Sequence, residues 1–254
     1  MHSGEFCRQF TMHKTTGIVL RPVKYGETSV IVTIFTDLFG VQAYMIKGIR
    51  SQKATGNKAG LIQPGMPLDM VVYHYPHKSI QHIKEFNAHI IYQAIQEDVV
   101  KNTILLFSVE VLLRLLPENA PLPDLFDFAL GYFKELDRTP QSMVGNFPLY
   151  FIIACSRDMG YELKGSYSNE TPFLNLEDGG YTAYAPATMQ LITNEDGAAL
   201  QQLLTVQDTN DLYLIEMSAA TRARLLEWYI AFLQTHSQHM DNIRSISILH
   251  AILH

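Results

Sequence analysis

Basic residues are concentrated near the N-terminal end of a chain that is acidic as a whole. The 254-residue sequence has 19 lysine and arginine residues against 25 aspartate and glutamate residues, a formal net charge of −6. Residues 12–60 nevertheless hold seven basic residues and only two acidic ones, Glu27 and Asp37. Basic side chains that neutralise phosphates release counterions, which supplies most of the sequence-independent affinity for nucleic acids. This charge split therefore predicts a segment that binds a polyanion, in the first place nucleic acid.

Six basic side chains and one tyrosine are the candidate contacts in this segment. Lysine and arginine would contact phosphates, and an aromatic ring on the wetter face of a strand could stack on a base. The candidates are Arg21, Lys24, Lys47, Arg50, Lys53 and Lys58 for phosphates and Tyr44 for stacking. Tyr25, in a predicted turn, is a second candidate for stacking. The alternative interpretation is a solvated loop that keeps the protein soluble, with tyrosines that cover a barrel core.

Catalytic and metal-binding patterns are missing from the sequence. The histidines near residues 74–82 and 236–239 lack the three or four ligands of a usable metal site. Neither a nucleophile elbow nor a phosphate-binding loop is present. A nuclease would need clustered carboxylates, which the basic segment does not contain. Cys155 lies in an apolar run and is predicted to be a buried, unreactive thiol. We therefore expect a protein that is not an enzyme and has no cofactor.

Five short strands are predicted to carry the basic residues. Segments rich in β-branched and aromatic residues, each bounded by turn residues, lie at 16–21, 30–36, 41–46, 67–73 and 79–83. A loop without apolar periodicity, at 47–60, contains four of the basic residues. Five short antiparallel strands with one long connection predict a small closed barrel of the OB type.

The apolar period changes to that of helices after about residue 84. Apolar residues recur at steps of three and four at Val100, Ile104, Phe107, Val111 and Leu115. Pro117 ends this helix, and Pro123 begins the next. Asn146 and Ser218 are predicted to cap two further helices, and a last helix is predicted over about 243–253.

These predictions together describe an α+β protein. A flexible leader at 1–11 precedes an OB-fold domain at 12–82 and a helical domain at 83–254, with an irregular insert at about 161–190. The longest apolar run is far shorter than the ~20 residues of a membrane helix, and the first residues lack the apolar core of a signal peptide. Two cysteines, Cys7 and Cys155, fit a reducing cytoplasm. We expect a cytoplasmic protein without a membrane partner.

An ordered series of short motifs resembles the bacterial RecO family. In the N-terminal part these are TGIVLR at 16–21, YGETS at 25–29, IVTIFT at 31–36, KGIR at 47–50 and QP at 63–64. They continue with LLPE at 115–118, LFD at 125–127, GY at 160–161, GG at 179–180 and IRSI at 243–246. The order and spacing, rather than any one motif, carry the resemblance, which extends over residues 12–254.

The resemblance implies a recombination mediator rather than an enzyme. RecO proteins have an N-terminal OB-fold and a helical part, bind single- and double-stranded DNA, and anneal complementary strands. Together with RecR they help load RecA onto single strands coated by single-stranded-DNA-binding protein, and they contact the tail of that protein. These molecules are the partners that the resemblance implies, and the implied location is the nucleoid within the cytoplasm.

The zinc site of many RecO proteins is absent from this sequence. Those members carry two cysteine pairs, one after the Gly-Tyr step and one after the Gly-Gly step. Here the corresponding stretches are GSYSN at 165–169 and YTAY at 181–184. The resemblance therefore implies a zinc-free member. We expect packing by four aromatic residues to hold the insert instead, namely Tyr167, Phe173, Tyr181 and Tyr184.

A second hypothesis, from a different class, is a protein-interaction module. Its barrel would bind a protein partner, and contact with DNA would be incidental. The two hypotheses differ in one consequence: replacing Lys47, Arg50 and Lys53 with alanine would impair the mediator and leave the interaction module largely intact.

Overall fold

The computed structural model describes residues 10–49, 58–186, 192–237, 240 and 243–253. Its strands come first and its helices follow, which confirms the α+β class and the OB-like N-terminal region. The chain forms two compact units. The barrel unit contains the described chain up to Ile91 and the segment Pro117–Leu130, and the helical unit contains Tyr92–Leu116 and the described chain from Gly131 onward.

All five predicted strands are present, and they close into a barrel. They are β1 (Thr11–Tyr25), β2 (Ser29–Thr36), β3 (Gly40–Ile46), β4 (Pro67–His74) and β5 (Ile80–Ala88). Their order around the barrel is β1-β2-β3-β5-β4, and every neighbouring pair is antiparallel except β3 and β5. β1 begins within the stretch expected to be a leader, and β5 continues beyond the domain boundary expected after residue 82.

β1 closes the barrel because it pairs with two different strands. Residues 11–18 pair with β4, and residues 17–25 pair with β2. The register with β2 shifts between Val19 and Arg21, so Leu20 is an extra residue that bends the strand. This bulge lets Val19 and Leu20 both be buried although they are adjacent.

The turn between β2 and β3 requires a glycine at its end. Gly40 has a φ of +67°, and a Cβ there would lie 2.0 Å from the carbonyl oxygen of Ala120. Asp37, in the same turn, accepts hydrogen bonds from the backbone N–H of Thr16, at 3.2 Å, and from the hydroxyl of Thr15. One of the two acidic residues in the basic segment therefore serves the barrel itself.

The segment Pro117–Leu130 packs on the barrel within the same unit. The backbone N–H of Asn119 donates to the carbonyl oxygen of Val41 at 2.9 Å, and the ring of Phe126 lies edge-on to Phe35 with centroids 5.4 Å apart. These contacts explain why residues that follow the first helix of the chain belong to the barrel unit.

Six α-helices are present among the described residues. They are α1 (Val99–Leu115), α2 (Pro123–Arg138), α3 (Phe147–Asp158), α4 (Asn194–Thr205), α5 (Ala219–His236) and α6 (Ile246–Leu253). The start of α2 at Pro123 and the end of α1 before Pro117 are as predicted, and the hydroxyl of Ser218 caps α5 by accepting from the N–H of Thr221. α4 has no counterpart in the sequence-based prediction. In the described parts of the chain, no helix combines the length and apolar character needed to cross a membrane.

The prediction that the side chain of Asn146 caps α3 is wrong. Asn146 precedes the helix, but its side chain makes no capping hydrogen bond. Its amide instead donates to the carbonyl oxygens of Leu212 and Ile215, at 2.8 Å each. Since this side chain is buried, it satisfies buried carbonyl groups 66 or more residues away in the chain rather than the adjacent helix end.

Aromatic rings fill the core of the helical unit. Tyr132 lies 4.5 Å from Phe151 between ring centroids and 5.5 Å from Phe147. Cys155 is fully buried, and burial raises the pKa of its thiol well above the ordinary value. The predicted burial of this thiol is therefore confirmed, and the raised pKa disfavours the nucleophilic thiolate.

The insert, which was expected to be irregular, contains a β-hairpin. β6 (Phe173–Asn175) and β7 (Gly180–Thr182) pair antiparallel. Tyr181 is buried, its hydroxyl donates to the carbonyl oxygen of Gly197 at 2.8 Å, and its ring contacts Tyr167 edge-on. The expected role of Tyr184 is wrong, because 82% of that side chain is exposed.

Candidate nucleic-acid interface

The predicted phosphate contacts do not form one cluster among the described residues. Arg21 and Lys24 are exposed on the second half of β1, where they lie opposite Thr33 and Val30 of β2. Lys47 and Lys58 line a cleft between the ends of two other strands. Arg50 and Lys53 lie outside the described residues.

This cleft opens where the only parallel strand pair of the described barrel ends. β3 and β5 pair over three residues each, from Ala43 with Ile80 to Met45 with His82. Beyond these pairs the two strands leave a cleft of about 470 Å³. We call it the lysine cleft. Its lining residues are 45–49, Lys58 and 82–86.

Positive charge dominates the lysine cleft. Lys47, Lys58 and Lys84 line it, and Glu85 is the one carboxylate among the described lining residues. The ammonium of Lys58 is held in place, since it donates to the carbonyl oxygen of Phe86 at 3.3 Å and lies 5.3 Å from the centroid of the Phe86 ring. Three ammonium groups in one concave site raise the local concentration of anions.

His82 also lines the lysine cleft. Burial, and then the positive charges of Lys47 and Lys78, lower the pKa of His82 below its usual range. The imidazole is therefore neutral at neutral pH and is able to donate or accept a hydrogen bond. Lysine ammonium groups are point charges without a fixed fork of donors, so they suit phosphate groups better than the edge of a particular base.

The prediction that Tyr44 offers a stacking surface is wrong. Tyr44 is fully buried, and burial raises the pKa of its phenol. Its hydroxyl donates to the side-chain oxygen of Gln42 at 3.0 Å, and the amide of Gln42 donates to Asn119 at 3.0 Å. Gln42 made this strand face look solvated, but its polar atoms are satisfied inside the barrel unit. Tyr25, by contrast, is 53% exposed at the turn between β1 and β2.

Sequence reasoning missed His82 and Lys84. Both lie outside the basic segment 12–60, on a strand that was predicted to end at residue 83 and continues to Ala88. They reach the lysine cleft because β5 pairs in parallel with β3. Lys84 is exposed although Phe86, two positions later, is buried, because the register of β4 and β5 shifts there and leaves Lys84 as an extra residue. The sequence pattern shows neither this shift nor the pairing of β5 with β3.

The insert does not fit the zinc ion that many RecO proteins hold. At the first of the two stretches the backbone of Lys164 pairs with Gly179 and Tyr181, at 2.9 Å in each case. The side chain of Tyr181 fills the interior there. In the described part of the chain, no group of three or more histidine, cysteine, aspartate or glutamate side chains is arranged to hold a metal.

A closed five-stranded barrel followed by a helical unit places this chain in the class of proteins with an OB-like barrel. Comparison with known families is more specific. The model described as recombination protein O, N terminal, matches residues 11–91, and the model described as recombination protein O, C terminal, matches residues 96–244. The chain therefore belongs to the RecO family of DNA repair and recombination proteins.

Individual relatives agree with this assignment along nearly the whole chain. The DNA repair protein RecO of Bacteroides fragilis is 28% identical over 238 residues, which cover 94% of this chain and 98% of the relative. RecO of Christiangramia forsetii is 25% identical over the same shares of both chains. RecO of Flavobacterium johnsoniae is 25% identical over 239 residues, again 94% and 98%. Neither these names nor the family descriptions state a catalytic activity.

Proposed function

We propose that this protein is a non-enzymatic mediator of DNA recombination and repair that binds DNA strands in the lysine cleft of its barrel unit. The observation that carries the proposal is the convergence of Lys47, Lys58 and Lys84 on one cleft. Membership of the RecO family supplies the biological role. Arg21 and Lys24 on β1 add phosphate contacts outside the cleft, and we keep Arg50 and Lys53, which are not among the described residues, as further candidates from their charge.

The mechanism follows from electrostatics. Two complementary strands repel each other through their phosphates, and a positive surface that binds one or both of them lowers this repulsion. Binding through lysine does not depend on base identity, which suits a protein that must act on any damaged sequence. Annealing in this scheme requires no bond to be made or broken by the protein.

We further propose the partners that the family resemblance implies. The protein binds single- and double-stranded DNA, contacts the tail of single-stranded-DNA-binding protein, and acts with RecR. Through these partners it helps load RecA onto coated single strands, in the cytoplasm and at the nucleoid. Family membership and the charge difference between the two ends of the sequence support this scheme.

The test is binding of a fluorescent single-stranded oligonucleotide across a salt series. The variant Lys47→Ala/Lys84→Ala removes two charges from the lysine cleft. The control Arg138→Ala/Lys164→Ala removes two charges from exposed positions of the helical unit. Each phosphate contact to a single strand contributes about 0.7 to the slope of log K against log salt. We therefore expect the cleft variant to lower the slope by about 1.4 and the control to leave it unchanged.

The opposite results separate the two hypotheses. A cleft variant that binds DNA with the natural affinity and slope would contradict the proposed site. A natural protein that binds no DNA even at low salt would favour the interaction module, whose barrel binds a protein partner.

A further inference from the structure

An aromatic patch lies on the outer face of the barrel beside the lysine cleft. Met12 of β1, Tyr73 of β4 and His82 of β5 are directly opposite one another in the sheet. Residues opposite one another point to the same side, as do residues two positions apart. On β4, Met70 and Val72 alternate with Val71 and Tyr73 and are buried in the barrel. Tyr73, and with it Met12 and His82, therefore faces outward.

Three rings form the centre of this patch. The ring of Phe10 lies edge-on to Tyr73 with centroids 5.1 Å apart, and it lies 5.5 Å from Tyr75. Phe10 is 47% exposed, whereas Tyr73 and Tyr75 are half-buried behind it. We call these three residues the aromatic platform. The two tyrosines support Phe10, which presents its ring to solvent.

Cations flank the aromatic platform. The ammonium of Lys78 lies 3.9 Å from the centroid of the Tyr75 ring. On the other side, the ammonium of Lys84 lies 3.8 Å from the sulfur of Met12, which is 56% exposed. Aromatic rings interleaved with lysine side chains are typical of surfaces that bind single strands, where the rings stack on bases and the cations meet phosphates.

The platform is continuous with the lysine cleft. His82 and Lys84 line the cleft, and the His82 ring lies 6.4 Å from the ring of Tyr75. A strand whose phosphates lie in the cleft therefore has its neighbouring bases beside the platform. A duplex would not use the platform in this way, because its base faces are already stacked on one another.

We propose that the aromatic platform stacks on unpaired bases of a single DNA strand held in the lysine cleft, and so makes the protein prefer single strands to duplexes. The inference rests on the proposed function and adds a base-binding site to it. Its occupant is single-stranded DNA, since the lysine residues on both sides match phosphates and the platform adjoins the proposed phosphate path. The site replaces the stacking role that the sequence suggested for Tyr44.

The experiment compares three fluorescent probes of equal length: an oligothymidylate, an abasic strand and a duplex. The full-length variant Phe10→Ala/Tyr75→Ala removes two rings, and Tyr184→Ala is the control because it removes an exposed ring of the helical unit. We expect the platform variant to bind oligothymidylate roughly 5- to 150-fold more weakly for each stacked base that is lost. We expect its binding of the abasic strand and of the duplex to be unchanged. Tyr75→Phe retains a ring and should bind all three probes as the natural protein does.

Other results would overturn the proposal. Unchanged binding of oligothymidylate would show that bases do not stack on the platform. An equal loss on the abasic strand would show that the rings only hold the lysine residues in place, or that the variant has lost its fold, which circular dichroism identifies. Binding of the abasic strand by the natural protein reports separately on the lysine cleft. Its absence at low salt would mean that the proposed function itself has failed.

Discussion

Three lysine residues of the barrel unit, Lys47, Lys58 and Lys84, line an open cleft, whereas three carboxylates of the helical unit bond to the protein itself. Asp137 accepts hydrogen bonds from the N–H groups of residues 93–95 at 2.9–3.0 Å. Glu110 accepts from the N–H groups of Arg244 and Ser245, both at 2.9 Å. Asp196 binds Arg224 through two hydrogen bonds, at 2.6 and 2.9 Å. The lysine charges of the barrel unit are available to a partner, whereas these three carboxylates stabilise the fold of the helical unit.

The comparison shows that net charge alone does not reveal function. The acidic residues outside the basic segment give the chain its net charge of −6, but at least these three side chains are used for caps and an ion pair. The basic segment is the more informative half, because Lys47 and Lys58 line a cleft and its acidic residue Asp37 is hydrogen-bonded to β1. Substitution of the cleft lysines should therefore weaken DNA binding and leave stability unchanged. Substitution of the three carboxylates should lower stability and leave DNA binding unchanged.

The largest effect on stability is expected for Asp196→Ala. Asp196 is 1% exposed, pairs with Arg224, and also completes the capping box of α4 with Thr193. Arg224 is 33% exposed and stays hydrated when its partner is lost, but the substitution removes two charge-assisted hydrogen bonds and the capping box, so we expect the free energy of unfolding to fall by about 2–3 kcal/mol. Denaturant unfolding followed by the fluorescence of Trp228, the one tryptophan of the sequence, measures this in the helical unit.

Glu195→Ala is the matched control, because Glu195 is exposed in the same first turn of α4. Without denaturant, and at a temperature where the variant and the natural protein are both folded, Asp196→Ala should bind single-stranded DNA like the natural protein. A loss of DNA binding by the folded variant would break the comparison between the two units.

A smaller effect is expected for Tyr181→Phe in the insert. The substitution removes the hydroxyl that donates to the carbonyl oxygen of Gly197, and with it a hydrogen bond between the insert and α4. We expect a loss of about 1–2 kcal/mol in the free energy of unfolding, measured by the same fluorescence signal. Tyr184→Phe should have no effect because Tyr184 is exposed.

Denaturant unfolding also tests whether the insert is stable without the zinc ion that many RecO proteins hold. If aromatic packing holds the insert, a metal chelator should leave the unfolding curve of the natural protein unchanged. A chelator that destabilises the protein, or stoichiometric zinc in the purified protein, would contradict the zinc-free assignment.

Protonation of the three carboxylates at acidic pH should lower the free energy of unfolding by the smallest amount per residue. Burial raises the pKa of Glu110, Asp137 and Asp196, but the hydrogen bonds that these carboxylates accept outweigh it and hold each pKa below its usual range. A lowered pKa stabilises the folded state above the unfolded pKa of about 4, and this contribution is lost as the pH falls through the folded pKa. Each carboxyl contributes less than Asp196→Ala removes, because a protonated carboxyl still fills its site.

We therefore expect the free energy of unfolding to decrease below about pH 4, as measured by Trp228 fluorescence over a pH series. Asp137→Asn removes one of the three titrating carboxyls, so its free energy of unfolding should decrease less steeply with falling pH than that of the natural protein. A protein that is equally stable at neutral and acidic pH would show that these hydrogen bonds do not stabilise the helical unit.

Local patterns were sufficient for most of the secondary structure. The strand segments, the end of α1 before Pro117 and the cap at Ser218 depend on residues within a few positions of one another, so the sequence contains their signal. Asn146 has the right residue type for a cap, but its amide is used by carbonyl groups of Leu212 and Ile215. A competing partner that is distant in the chain leaves no trace in a local pattern.

The candidate site was predicted in part. Lys47 and Lys58 were identified from charge, and the structure brings both to one cleft; Arg21 and Lys24 lie elsewhere on the barrel surface. The burial of Tyr44 was missed because Gln42 resembles a solvated residue until its partner Asn119 is known. The rings of Phe10, Tyr73 and Tyr75 come from two separate parts of the sequence and carried no signal of their own.

By itself, the sequence determined the α+β class, the five strands, most helix ends and the RecO family, because periodicity, caps and ordered motifs are local properties. Only the tertiary structure decided which charges meet. The parallel pairing of β3 with β5 brings residues 45–49 beside 82–86, and the register of β1, β4 and β5 gathers the aromatic platform. Such contacts depend on how distant strands close a barrel, and that closure is a property of the whole unit rather than of any segment.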